Sequence, residues 1–185
     1  MTAEKRDAIQ SVSVSNFVKI APNAAFNGRA GAWGVGIGGA IGAAIAANNS
    51  SPSQEIKAFL DQKQIDVRDI VRNSFFKGLA NDPKWASRLH DQSDTYFNLE
   101  VLAYGLTMTT NIFSSDYKPW LSVRATLMNQ KGETLWQAHD VIAQFNSATP
   151  KATYADFLSD PKWFLDGFSA ASAEITQSLL DKLNN

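Results

Sequence analysis

A chain of 185 residues is the size of one domain, and at this length folding buries about 70% of the unfolded surface without staples. With 44% hydrophobic and 19% charged residues, its composition excludes disorder, collagen and a multi-span membrane protein. Seventeen basic and eighteen acidic residues leave a net charge of −1, so no basic excess points to nucleic acid, and the absence of cysteine removes disulfides, thiol nucleophiles, thiolate zinc sites and iron–sulfur clusters together.

The first ten residues, Met1 to Gln10, read as a polar N-terminal arm without the apolar core of a signal peptide or a lipid-accepting cysteine. If Met1 is the native start, the chain is expected in the cytoplasm; if Met1 replaces an export signal, it is the mature part of an exported protein.

From Ser11 to Ile20 serine and valine alternate, which predicts a half-buried strand ending at Ala21-Pro22-Asn23. The next segment, Ala32–Ala47, is an apolar glycine-rich insert with no charge and no polar side chain except the Trp33 indole. Its Gly34-Val35-Gly36-Ile37-Gly38-Gly39 run fits a dinucleotide fingerprint in letters only. The strand that should lead directly into it stops near Ile20, and Glu55, at the position of the ribose-binding acid, opens an ordinary helix. Gly34, Gly38 and Gly42 also recur every fourth residue, the small-residue ridge on which two helices approach closely. Sixteen residues fall short of the ~20 that span a bilayer as helix. Five glycines cost an isolated helix about 5 kcal/mol relative to alanine. The insert must therefore fold on its own domain or be held by a second helix, another subunit or lipid. Trp33, Gly34, Ile37, Gly38, Ile41, Gly42 and Ile45 are the candidate interaction residues.

Ser53 is placed to cap a helix carrying Ile56, Phe59 and Leu60 on one face. Asp66 is the expected cap of a stronger one, Val67–Leu79, whose Val67, Ile70, Val71, Phe75 and Leu79 form a continuous stripe. Asn81-Asp82-Pro83 ends it. Three strands follow: Thr95–Thr110, apolar on both faces from Leu102 and so central in its sheet; Trp120–Met128; and Leu135–Phe145, paired with its predecessor across a tight turn at Gly132. A closing helix carries Phe164, Phe168, Ala171, Ile175 and Leu179 on one stripe. The repeat Asp82-Pro83-Lys84-Trp85 and Asp160-Pro161-Lys162-Trp163 reads as one capping solution used twice, since Asp accepts an orphan amide and Pro at the first helical position has none.

His90 and His139 each precede an aspartate, but neighbours in sequence point in different directions, no nucleophile elbow is present, and two separated histidines lack a third metal ligand. Both read as surface or turn residues. Asp91, Asp94, Asp156 and Asp160 fall at turns and helix starts, where capping accounts for them. The sequence thus assigns no catalytic residue, no cofactor and no metal site. The five tryptophans and eleven phenylalanines default to core packing.

The order of elements, the strand Pro119-Trp120-Leu121-Ser122-Val123-Arg124-Ala125-Thr126-Leu127, the turn and strand Gly132-Glu133-Thr134-Leu135-Trp136 and the glycine-rich insert together resemble small bacterial envelope lipoproteins. Their fold is similar to the amino-terminal domain of TolB and to the periplasmic domain of the curli-secretion lipoprotein, and the insert resembles glycine-zipper segments. The chain departs from the pattern in lacking the lipobox cysteine. The resemblance implies a non-enzymatic periplasmic domain, anchored to the outer membrane in its precursor and acting in assembly, transport or envelope maintenance. Its partner would be an envelope protein or a second copy, met through the glycine-rich segment, with membrane contact as a further possibility and no nucleic acid. The alternative is a binder of small molecules or lipid with a pocket lined by Trp120 or Trp136. The fold expected over residues 1–185 is a single α+β domain, with about four strands in a mainly antiparallel sheet and the two main amphipathic helices on one face.

Overall fold

The computed structural model describes residues 3–28, 51–109, 116–142 and 149–185. The candidate residues Trp33 to Ile45, and the whole insert, lie outside the described residues. The elements in chain order are α1 (Ala3–Asp7), β1 (Ser13–Ile20), β2 (Ala25–Asn27), α2 (Pro52–Gln62), α3 (Val67–Asn81), a 3-10 turn (Ala86–Arg88), β3 (Thr95–Met108), β4 (Asp116–Asn129), β5 (Thr134–Ile142), β6 (Ala152–Thr153), α4 (Tyr154–Ser159) and α5 (Pro161–Asn184).

The class is α+β, as expected, but among the described residues the sheet has six strands rather than about four, and beside the two main helices of the sequence reading, α3 and α5, there are three further α-helices. The additional strands are short. Residues β2 and β6 add only three and two residues, lengths at which no hydrophobic period can show. The two fourteen-residue strands β3 and β4 pair antiparallel along their whole length. β1 and β2 then line up one after the other along the free side of β3, both parallel to it, while β5 and β6 pair antiparallel with β4.

β3 is central, as its apolar run suggests, and a bulge between Val101 and Ala103 explains why that run lacks a period. Before the bulge Phe97, Leu99 and Val101 are the buried residues; after it Tyr104 and Leu106 take that role, because one extra residue exchanges the faces. At Gly105, with φ +147°, an added Cβ would lie 1.8 Å from the Ala25 carbonyl oxygen, so glycine is what allows β2 to close on β3.

α3 and α5 cover one face of the sheet. Phe75 of α3 meets Phe97 edge-on at 5.1 Å, and Trp136 of β5 meets the same ring at 6.3 Å. The two helices approach closely at Gly78, where a Cβ would stand 2.4 Å from Thr176 Cγ2. α5 drops onto β4 at Gly167, beside Pro119. Polar bonds fix its far end: Asp140, on the helix side of β5, accepts from Lys182 Nζ at 3.0 Å and from the Ser178 hydroxyl.

Several helix ends follow the sequence. Asp66 accepts from the Arg68 amide, and Asp160 from the Lys162 amide, with Pro161 at the first position of α5. Asp82 makes the matching bond to the Lys84 amide at 2.8 Å, yet there only a 3-10 turn follows. The shared motif is thus a shared cap. For α2 the cap is Ser51, not Ser53: Pro52 occupies the first helical position, and Gln54 closes a capping box with Ser51.

Phe75 and Phe168 are 1% and 0% exposed, so changing either to alanine is expected to cost about 3–5 kcal/mol, read from the shift of the denaturation midpoint. Two carboxyls, Glu55 buried and Asp140 half-buried, carry opposite pH signs. Burial pushes the Glu55 carboxyl up, against the lowering effect of its 2.8 Å bond from the Tyr154 hydroxyl. Folded protein therefore holds a proton that unfolded chain releases, and the group weakens the fold as pH rises above the ordinary glutamate range. Asp140 is also raised by burial, but the bonds from Ser178, the Val141 amide and Lys182 outweigh this and leave it lowered. It stabilises the fold above the ordinary aspartate range and loses that contribution as pH falls through its folded value. Urea titrations at pH 4 and 7 should show Glu55→Gln gaining stability relative to wild type at the higher pH, and Asp140→Asn losing most there.

Candidate functional site

The helices cover one face of the sheet, and the alternation of β1, β3, β4 and β5 sends the other residues to the opposite face. Across that face runs one row in register, with Lys19 paired to Glu100, Glu100 to Arg124, and Arg124 to His139. Lys19 Nζ lies 3.5 Å from Glu100 Oε1, and Arg124 Nη1 lies 3.1 Å from Glu100 Oε2, so one carboxylate serves two cations. The adjoining row places Asn98, Thr126 and Gln137 side by side.

Phe17 stands at the edge of this face and is 74% exposed, the most exposed large apolar side chain among the described residues. Alternation puts it opposite Val14 and Val18, but its prominence comes from a bulge. Between Val14 and Val18, β1 spends four steps where β3 spends two, from Phe97 to Leu99. The excess chain is tied down on both sides. The Ser15 hydroxyl accepts from the Phe17 amide at 3.1 Å, while from α3 Arg72 donates to the Ser15 carbonyl at 3.2 Å and to Asn16 Oδ1 at 2.5 Å. A bulge at a sheet edge re-aims a side chain, and here it lifts a phenylalanine clear of the core. Phe17, Lys19, Met128 and Gln137 border a shallow groove of about 320 Å³ on the same face.

Three cationic side chains, Lys19, Arg72 and Arg124, thus surround or support Phe17, with Glu100 the acidic group in their row. The chain as a whole carries −1, so this part of the surface departs from the molecular average toward positive charge.

The two histidines are exposed and on separate elements, as the sequence reading has them: His90 follows the 3-10 turn, its amide donating to the Val12 carbonyl at 2.9 Å, and His139 lies on the open face of β5. His139 and Asp140 point to opposite faces, the carboxylate being engaged with α5. Trp136 is buried beside Phe97, and neither it nor Trp120 lines this groove or the two larger clefts, of about 460 and 560 Å³. Among the described residues no helix is long and apolar enough to cross a membrane, and no group of three or more His, Asp and Glu residues is placed to hold a metal ion.

No protein-family model matches the chain, and no curated protein matches it. Solved structures similar to it include a "putative lipoprotein" of Caulobacter crescentus CB15, 14% identical over 63% of this chain and 80% of that one, with a TM-score of 0.42. Lipoprotein GNA1162 of Neisseria meningitidis is 13% identical over 95% and 98% of the two chains, with a TM-score of 0.31. An uncharacterised protein gives 15%, 92%, 93% and 0.34 in the same terms. Likenesses at these scores carry no weight for fold or role, and the architecture stands on the strands and helices described above.

Proposed function

We propose that the protein is a non-enzymatic component of the bacterial envelope, a lipoprotein domain on the periplasmic side of the outer membrane that works by contact with an envelope protein. The observation that carries the contact role is Phe17, held out at 74% exposure by a bulge that Arg72 fastens from another element. Aromatic side chains are enriched at the centres of protein interfaces, and Phe17 offers one bordered by charged groups on a backbone excursion tied by hydrogen bonds. The surrounding Lys19, Arg72 and Arg124 call for a partner that presents an apolar pocket among acidic groups. The envelope address rests on the resemblance of the strand Pro119–Leu127, the Gly132–Trp136 turn and the insert to envelope lipoproteins.

A photoreactive residue placed at position 17 in cells is expected to give one discrete adduct with an envelope protein, absent from a control at the exposed Lys131 and lost when Lys19 and Arg124 are both changed to Glu. No adduct from position 17, or one insensitive to the charge reversal, would contradict the contact role.

The glycine-rich insert supplies the second contact in this reading, as a ridge of Gly34, Gly38 and Gly42 for a second copy or for lipid. Replacing Gly38 and Gly42 together with Leu adds bulk at the ridge and should weaken self-association in sedimentation and binding in liposome flotation. A wild-type protein that is strictly monomeric and ignores liposomes would remove this role.

A further inference from the structure

A second site, separate from the contact face and independent of the envelope reading, lies where α2 hands over to α3. The C-terminal turn of α2 is closed by the Ile65 amide donating to the Leu60 carbonyl at 2.9 Å, with Gln64 in the left-handed region at φ +55°. This is the closure that ends a helix with a sharp change of direction. Asp66 then starts α3 at once. The abrupt bend, together with the end of β1, encloses a half-open cleft of about 460 Å³, within the range of small-molecule sites.

Its walls divide into two zones. Ile20, Leu60, Ile65 and Val67 supply apolar surface, and Tyr104 reaches the cleft from β3. Tyr104 is 5% exposed, and among the described residues no hydrogen bond reaches its hydroxyl. The hydroxyl is not one of the buried unpartnered polar atoms, so on a ring that is otherwise covered it stays open to solvent at the cleft, where a ligand acceptor can take its hydrogen bond. The polar zone holds two ion pairs: Lys57 Nζ on Asp61 Oδ2 at 2.7 Å, and Arg68 Nη2 on Asp66 Oδ2 at 2.6 Å. Each cation already has its carboxylate, so the polar wall is charge-balanced. An anion or a cation entering alone would have to compete with one member of each pair, whereas a head group carrying both charges meets an opposite charge at each.

We propose that this cleft binds a small zwitterionic amphipath, its chain on the apolar wall, its head between the two ion pairs, and an acceptor atom taking the Tyr104 hydroxyl proton in a hydrogen bond. The bulge at Val101–Ala103 is what serves the site. Without its one-residue shift, residue 104 would face the open side of the sheet.

The probe is dodecylphosphocholine held below its micellar concentration and titrated into isotope-labelled full-length protein by NMR. Saturable one-to-one shifts are expected at residues 57–68 and on the Tyr104 ring. Tyr104→Phe should weaken binding roughly three- to tenfold, the worth of one hydrogen bond. Ala21→Phe, which places a ring at the mouth of the cleft, should abolish it, and unchanged thermal midpoints would show that both variants remain folded. Dodecyl sulfate and dodecyltrimethylammonium should bind at least tenfold more weakly, and phosphocholine without the chain should not saturate. The proposal is overturned if no saturable shift appears, if the shifts survive Ala21→Phe, or if a singly charged amphipath or the bare head group binds as well.

Discussion

The antiparallel ladder between β3 and β4 is the constraint on which the rest of the molecule depends. Both strands are fourteen residues long, and every other strand attaches to one of them. Their paired inward residues, among them Phe97 with Leu127 and Val101 with Val123, make the surface on which α3 and α5 lie. Burial of this kind is the main favourable contribution to folding, and it depends on register: a slip of one residue would exchange the two faces. The bulge inside β3 makes such a slip locally and keeps it, so that Phe97 and Tyr104, of opposite parity, lie on the same side.

Covering one face leaves the other to solvent, and this asymmetry generates both proposed sites. On the open face each strand contributes polar residues that pair across the sheet, with Glu100 between Lys19 and Arg124. Exposed ion pairs of this kind contribute little to stability, so their value lies in the pattern of charge they present. Phe17 interrupts that pattern on a backbone excursion that Arg72 holds from α3. On the covered side the cleft arises because α2 and α3 are joined by a tight bend instead of one continuous helix. The tyrosine that reaches it is delivered by the β3 bulge.

Much of this was legible in the residues because the signals are local. Asp66 and Asp160 announce their helices through caps, the Val67–Leu79 stripe repeats at helical spacing, and the hairpin turn falls where Gly132, at φ +79°, permits it. What escaped depends on distant partners. The parallel pairing of β1 with β3 joins residues more than eighty positions apart, and nothing in either strand encodes its neighbour. β2 exists because Gly105 admits it, and β6 because Ala152 and Thr153 pair with Tyr117 and Asp116 at the start of β4. Alternation places Phe17 on the outer face, but the bulge that raises it is held by an arginine 57 residues from Ser15. Tyr104 read as one more core residue in an apolar run, and only the cleft beside it gives its hydroxyl significance. The glycine-rich insert, the most conspicuous feature of the sequence, lies outside the described residues.

The central claim, an envelope protein that acts by contact, is tested most directly by where the native protein resides and in what chemical form. Cells of the source organism, separated into cytosol, periplasm and membranes, should yield the protein in the outer-membrane fraction. It should be released by detergent but not by high salt, with an acylated amino-terminal peptide in the mass spectrum. Recovery from the cytosol with an unmodified amino terminus at Met1 would contradict the account.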